Sequence, residues 1–492
     1  MVHISSSIGF KVIANCGYLP GALFSVLPRH AVARCYSQSC HDGLGTLKEN
    51  AKQILTAALQ AVAPETLVQR AIRRSACSQY LHVGDATYPL QKNVYIAAFG
   101  KGVYPMAKAV TSIVHDHLVD GIVSVPAGSS TPALSNLQII QGGRNNLPDS
   151  NSMMAADSIM KMANSLGQHD ILLVLMTGGG SALFPLPVHG VTLDEKLQAI
   201  KAIANAGGDI FQLNTIRKNL SACKGGKLAL AANPAKVISF IVSDVIGDNL
   251  EIIASGPTVK DSSSHKDCLT IIKNLSIDKK IPTSVLNLFS GKTCSDIAKN
   301  KQTFNNVQNV LIGSNKVAIH AAFEKASQLG FDATIHSTTV CGEAKDVGKT
   351  YCQMLLENQR LCRKVCILSG GETTVRVEGS GVGGRNQEFA LSASVQMFES
   401  KLASNLTDKK CPAVLLSAGT DGQDGPTPAA GAFAYPGQLC DNNINTARHH
   451  LANNDSYTFF STLNNGDDLI VTGLTNTNVM DIQIMLIDEP TT

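Results

Sequence analysis

Three glycine-containing loops in this chain have the composition to hold a polyanion, and two of them carry or adjoin a charged side chain. In Thr177-Gly178-Gly179-Gly180-Ser181 the missing Cβ atoms let backbone N–H groups come close to an anion, at the end of an apolar run over 171–176. In Gly100-Lys101-Gly102 an ammonium stands directly after the apolar run 94–99, placed to neutralise phosphate charge at a strand's carboxyl edge. In Gly379-Ser380-Gly381-Val382-Gly383-Gly384 the spacing formally satisfies the G-x-G-x-x-G dinucleotide pattern. A dinucleotide also wants an acid about 20 positions on to hold the ribose. That stretch reads Ser404-Asn405-Leu406, so the requirement fails. Arg385-Asn386-Gln387-Glu388 follows the loop instead, adding a fixed cation to helix-start N–H donors, a combination suited to a transferring phosphoryl group.

Carboxylates and further cations stand in related places. Asp244, in Ser243-Asp244-Val245-Ile246-Gly247-Asp248 after an apolar strand, is placed to accept a hydroxyl proton or to position Mg²⁺, while Asp248 beside glycine reads as a cap. Asp421 and Asp424 lie in Gly419-Thr420-Asp421-Gly422-Gln423-Asp424-Gly425, which lacks the ligand spacing of an EF-hand and reads as a metal- or phosphate-adjacent loop. Arg217 and Lys218 fall in a helical stretch, where they either clamp a carboxylate or phosphate or line a solvated helix face. Other chemistries are excluded. The two Gly-Lys-Thr triplets lack the Walker A glycine, having Leu286 and Glu343 in its place, and neither a G-x-S-x-G elbow nor an H-E-x-x-H pair occurs.

These loops require strands to hold them. Short, wholly apolar runs followed by glycine-rich loops and helical patterns recur at 94–99, 171–176, 237–242 and 310–312, the last before Gly313-Ser314-Asn315. The repetition predicts an α/β fold with a parallel sheet covered on both faces and functional residues at the carboxyl ends of its strands. The pattern weakens into polar stretches between 262 and 303, which places a Rossmann-like N-terminal domain at 42–300 and a smaller α/β domain at 301–492. In the second domain strands are expected at 365–368, 375–377 and 414–416, helices at 316–328 and 386–397, and a closing strand at 479–487.

Composition narrows the class further. An apolar fraction of 44%, a charged fraction of 16% and 41 glycines in 492 residues exclude a disordered chain or a charged coiled coil. No apolar run approaches the roughly 18 residues of a membrane span. Residues 1–41 hold Lys11, Arg29 and Arg34 and no acid, the composition of a mitochondrial transit peptide, and the remainder balances 38 basic against 38 acidic residues. A neutral body with no tryptophan lacks the basic stripe and stacking platforms of a nucleic-acid binder. The 13 scattered cysteines form no zinc-ribbon pattern and read as reduced, structural thiols.

Taken together, the motifs resemble the class II glycerate kinases, the family whose C-terminal region is called MOFRL. The resemblance rests on Gly100-Lys101-Gly102, residues 177–183, 214–220 and 243–248, Ser255-Gly256-Pro257-Thr258, Gly313-Ser314-Asn315, residues 369–374, 379–388 and 417–431, in one order over about 45–487. It implies ATP-dependent phosphorylation of D-glycerate with Mg²⁺ in a cleft between a larger Rossmann-like domain and a smaller domain containing the MOFRL region, 365–487. It further implies Lys101 and Arg385 as the catalytic cations; Asp244, from its place after the strand, is expected to orient or deprotonate the hydroxyl. Gly178, Gly179, Gly180, Ser181, Gly313, Ser314, Asn315, Gly381, Gly383 and Gly384 are then expected to face phosphate or nucleotide, Arg217 and Lys218 the substrate, and Asp421 the metal. Many relatives carry alanine where this chain has Gly102, and glycine where it has Ala418. A nicotinamide-dependent hydroxy-acid reductase and a noncatalytic phosphometabolite-binding protein are the alternatives, and a homodimer is compatible with the sequence.

Overall fold

The computed structural model describes residues 29–143, 147–292, 304–404 and 411–490. The apolar runs form the strands of two six-stranded sheets. A small antiparallel sheet of β1 (Ile72–Arg74), β2 (Tyr80–Val83) and β3 (Ala86–Pro89) precedes them. The first large sheet contains β4 (Val94–Phe99), β5 (Leu118–Pro126), β6 (Gln138–Gly142), β7 (Ile171–Met176), β8 (Lys236–Val242) and β9 (Val307–Gly313). Its order is β6-β5-β4-β7-β8-β9, and every neighbouring pair is parallel. β7 is buried along its whole length, as a strand with helices on both faces must be. The chain builds outward from β4 in one direction and from β7 in the other, so the topological switch point lies between these two strands.

The second sheet contains β10 (Asp332–Val340), β11 (Val365–Gly371), β12 (Ala413–Gly419), β13 (Gly431–Ala434), β14 (Leu469–Ile470) and β15 (Asp481–Ile487), in the order β10-β11-β15-β12-β13-β14. The expected closing strand forms as β15 and lies within the sheet. β15 inserts between β11 and β12, antiparallel to both. The strand expected at 375–377 does not form; after Gly371 the chain makes only an isolated bridge, Thr374 to Glu343, on its way to the next helix. A β-like composition there was overridden by the lack of a neighbouring strand to pair with.

The lobes are not divided at residue 300. β9 completes the first sheet, and the helices His265–Asn274 and Thr283–Phe289 pack with Leu193–Asn205 and Ile210–Asn219 around a satellite core. The first described helix, Arg29–Ala61, lies against Asn315–Gln328, β12 and β15, and its Lys48 pairs with buried Asp468. One core therefore runs continuously from Leu47 and Ile54 through Ala318 and Ala322 to Ile482 and Ile484. The expected transit segment falls largely at 1–28, outside the described residues. Contrary to the expectation of wholly reduced thiols, Cys362 and Cys411 are disulfide-bonded, with Cα atoms 5.8 Å apart. They are 49 residues apart in sequence, a pairing that spacing alone does not reveal.

Candidate functional site

The switch point carries two of the three glycine loops. β4 and β7 are adjacent and in register, Phe99 opposite Met176, so the loops that follow them emerge side by side. They interlock. Gly100 has φ +145°, and the position a Cβ would take is filled by Thr177. The Thr177 hydroxyl accepts the Gly102 N–H at 3.1 Å, and the Lys101 N–H donates to the Gly178 carbonyl at 2.8 Å. The aliphatic stem of Lys101 then lies across Gly179, where a Cβ would stand 2.9 Å from Lys101 Cγ. Asp244, after β8, lies over Gly178 in the same manner, with its Cγ 2.9 Å from the Cβ position. Burial pushes the Asp244 carboxyl above its ordinary range, while its own backbone N–H and the Lys101 charge pull it back. Among the described residues the N–H groups of Gly178 and Gly179 have no acceptor. Lys101, Asp244 and an open pair of amide donors thus share one corner.

Below this loop, Ser181 Oγ lies 3.1 Å from Ser255 Oγ, and the Ser255 hydroxyl donates to Asn214 Oδ1 at 2.8 Å. Ala254, Ser255 and Gly256 have φ values of +51°, +61° and +58°, a left-handed turn that costs free energy at its two non-glycine positions. Lys224 and Lys196 are buried behind the same segment, with Nζ near the carbonyls of Ala254 (3.5 Å) and Pro185 (2.9 Å) and no carboxylate partner among the described residues. Burial pushes their ammonium groups down, to about 8 for Lys224 and about 7 for Lys196. Arg217, half-buried, has no hydrogen bond or ion pair among the described residues. Lys218 is committed elsewhere: it is buried and pairs with Asp261 at 2.7 Å and Glu251 at 3.6 Å.

The second sheet presents a matching edge. Gly371 pairs with Asp481, and Asp481 with Gly419, which puts Glu372, Asp481 and Asp421 along one end of β11, β15 and β12. Arg385 draws them together. Its Nε and Nη2 hold the two Asp481 oxygens at 2.6 and 2.9 Å, and its Nη1 lies 3.0 Å from Glu372. Burial works against the guanidinium charge, but Asp481 and then Glu372 more than offset it, so its pKa is raised. The Glu372 carboxyl is also raised, by burial first; Arg385 opposes that shift, and Asp481, Asp244 and Asp421 add to it. Asp244 belongs to the first sheet, so the two carboxyl edges face each other across one cleft. The Asn476 carbonyl closes against Gly102, whose Cα has no room for a side chain.

Other residues expected at the site are packed closely against the chain itself. The loop over 379–384 is packed against 453–456: a Cβ at Gly381 would lie 2.6 Å from the Asn453 carbonyl, and one at Gly383 would run into Ser456. Four of its N–H groups are also taken, those of Gly379, Ser380, Gly381 and Val382 by Asn454, Asn453 and Asp455, while among the described residues those of Gly383 and Gly384 have no acceptor. Gly384 is pressed on Asp424, which is 2% exposed and accepts the N–H groups of Asn386 and Gln387 at 3.1 and 2.9 Å. The start of the helix Arg385–Ser404 is therefore capped by a carboxylate at its Asn386 and Gln387 donors. Burial lifts that carboxyl to about 6 despite these bonds. Gly313 is packed on Leu67 and Val242, Ser314 is buried, and Asn315 Nδ2 donates to the carbonyls of Val479 and Asp481 at 2.9 Å. Asn315 bolts the two lobes together.

Glu372, Asn214 and Ser255 lie in the motifs that carry the resemblance but are given no role by the sequence, and Asp481 and Lys224 escape it. Glu372 had a signal, an acid directly after Gly370-Gly371 at a strand end. Asp481 and Lys224 had none, because burial is what makes them exceptional. Among the described residues no group of three or more His, Cys, Asp or Glu side chains is arranged to hold a metal, and no helix is long and apolar enough to cross a membrane.

Comparison with known proteins matches residues 50–290 to a domain of unknown function, DUF4147, and residues 365–481 to the MOFRL family. Glycerate kinases of Danio rerio and Homo sapiens are each 38% identical, over 90% and 94% of this chain and 98% and 97% of their own. A D-glycerate 2-kinase of Thermotoga maritima is 32% identical over 90% of this chain and 99% of its own. The crystal structure of a Thermotoga maritima glycerate kinase superposes with a TM-score of 0.76 at 32% identity, covering 90% of this chain and all (100%) of that one. A Pyrococcus horikoshii protein gives 0.75 at 33%, with coverage of 90% and 99%.

Proposed function

The chain belongs to the glycerate kinase family, and from that premise we propose that it transfers the terminal phosphoryl group of ATP to a hydroxyl of D-glycerate in the cleft between the two sheets. The observation that carries the reading is the corner at the switch point, where Lys101, Asp244 and the free amide donors of Gly178 and Gly179 meet. Phosphoryl transfer asks little covalent chemistry of a protein; it asks for position and for charge balance on the moving group. Lys101 and the two amides supply positive charge to the phosphoryl oxygens. Asp244, raised by burial, is a better base than an exposed carboxylate and takes the hydroxyl proton. Arg217, with its charge unspent, holds the substrate carboxylate, a part that Lys218 in its ion pairs does not share.

Mg²⁺ in phosphoryl-transfer sites keeps waters and binds through one or two carboxylates plus phosphate oxygens. Asp421 suits that role, because among the described residues only its Oδ1 is engaged, by the Gln423 N–H at 3.1 Å, and it sits on the edge facing Asp244. The ion would neutralise charge on the phosphates. Arg385 acts in this scheme by fixing Glu372 and Asp481 at the opposite wall. The acid-free composition of residues 1–41 supports a mitochondrial location. Phosphorus NMR of purified protein with ATP and D-glycerate tests the activity: a phosphomonoester of glycerate with matching ADP is expected, and its chemical shift and coupling identify the hydroxyl used. ATP unchanged in the presence of D-glycerate and Mg²⁺ overturns the reading.

A further inference from the structure

Ser181 stands in the glycine loop as if to donate a hydrogen bond to phosphate, yet its neighbours fix its polarity the other way. Asn214 Nδ2 donates to the Ile210 carbonyl at 3.0 Å, which settles the orientation of the amide and leaves Oδ1 facing Ser255. A carboxamide oxygen only accepts. The single hydroxyl hydrogen of Ser255 is therefore spent on Asn214, and Ser255 Oγ meets Ser181 Oγ at 3.1 Å as the acceptor. The Ser181 hydrogen points inward. What the partly exposed Ser181 Oγ offers the cleft is lone pairs. Phosphate oxygens also only accept, so they find no donor there, whereas an alcohol does find a partner.

The relay is built into the fold. Ser255 is fully buried and Asn214 is 3% exposed, and the left-handed turn over 254–256 aims the Ser255 side chain at both partners. The carbonyl of Ser255 accepts the Gly225 N–H at 3.0 Å and that of Gly256 the Gly226 N–H at 2.8 Å, which holds the turn in its strained form. Arg217 lies one helical turn beyond Asn214 on the same face, with no partner of its own among the described residues. An acceptor for an alcohol thus adjoins an uncommitted guanidinium.

We propose that the chain Ser181→Ser255→Asn214 makes Ser181 Oγ the acceptor for the non-reacting hydroxyl of the substrate, so that the site selects a carboxylate bearing two hydroxyls over one bearing a single hydroxyl. The inference rests on the glycerate kinase reading. In it, the reacting hydroxyl gives its proton to Asp244 while the bystander donates to Ser181. Ser255 and Asn214 are positioning residues that fix the direction of that bond.

The test pairs enzyme variants with substrate analogues. D-lactate and 3-hydroxypropionate each lack one hydroxyl of glycerate, and the one that is phosphorylated is the one lacking the bystander. For the unaltered chain that analogue is expected to show a KM about 10-fold or more above that of D-glycerate, since a site with an unmet hydrogen-bond partner rejects the deleted analogue. Ser181→Ala should raise the KM for D-glycerate by a similar factor, leave that of the analogue within twofold, and leave the KM for ATP unchanged. Ser255→Ala should reproduce part of this effect, and the double variant should show less than the product of the two single effects. A raised KM for ATP with that for D-glycerate unchanged makes Ser181 a phosphate ligand and overturns the proposal. Equal loss with D-glycerate and the analogue also overturns it. The analogue comparison on the unaltered chain needs no variant to fold, and equal KM values there defeat the proposal directly. If the unaltered chain transfers no phosphate to D-glycerate, the kinase reading falls and takes this inference with it; activity with unchanged Ser181→Ala kinetics removes the inference alone.

Discussion

The loop over 177–181 and the loop over 379–384 are both glycine-rich and are packed differently. Around the first, the glycines are covered by side chains with chemistry to perform, Lys101 over Gly179 and Asp244 over Gly178, and two amides remain open. Around the second, they are covered by the chain's own backbone and by Asp424, and the amides of 379–382 are consumed, leaving only those of Gly383 and Gly384 without an acceptor among the described residues. The electrostatic backing also differs. Buried lysines without counter-ions among the described residues lie behind the first loop, and buried carboxylates, Asp424 and Asp481, lie behind the second. A glycine-rich loop therefore indicates only that something must come close to the backbone. Whether that is a ligand or another part of the chain depends on what else the fold brings there.

This contrast is open to experiment, with the largest effect expected at Arg385. Replacing it by alanine leaves Asp481 buried without its cation, which should cost about 3–5 kcal/mol of stability by denaturant unfolding in addition to lowering kcat. Unchanged stability would mean that Arg385 is a free phosphate ligand rather than a brace. Lys101→Ala, at an exposed residue with no ion pair among those described, should lower kcat by roughly 10²–10³-fold while the unfolding midpoint stays put. The two cations thus separate by which observable moves.

Gly381→Ala probes the packed loop. Its Cβ would enter the space of Asp455 and the Asn453 carbonyl, and forced overpacking of this kind costs about 1–3 kcal/mol. Its KM for ATP should not change in the protein that remains folded, and a selective rise in that KM would return the loop to nucleotide binding. The smallest effect is expected for Lys196→Met. The Lys196 ammonium is depressed to about 7 in the fold against an ordinary 10.5, so its charged form is penalised when the chain folds. Below pH 7 both folded and unfolded states carry the proton and the penalty is complete; it fades as pH rises from 7 toward 10.5. The methionine variant should therefore melt about 2–4 °C higher at pH 6, with the gain shrinking at alkaline pH. A gain independent of pH would mean that packing, not charge, separates the two side chains.

Much of the first lobe was legible in the sequence, because its strands are continuous apolar runs whose ends are marked by glycine. β4, β7 and β8 lie where those runs predict them, and Lys101 and Asp244 stand at their carboxyl ends. The second lobe was read less well. β15 was legible as a closing strand but its central place was not, because strand order depends on pairings across more than 60 residues that local pattern does not encode. Residues 375–377 had strand-like side chains and found no partner.

By itself the amino-acid sequence determined which segments are strands, which loops are glycine-rich and where cations and acids follow a strand, since these depend on side-chain type and short-range spacing. Only the tertiary structure decided which donors remain open, which charges are already paired and which way the hydroxyl of Ser181 points. Those properties belong to neighbours far apart in the chain: Asp481 is 96 residues from Arg385, and Asn214 is 41 from Ser255. A polar group's capacity to bind a ligand is whatever its own fold has left unsatisfied.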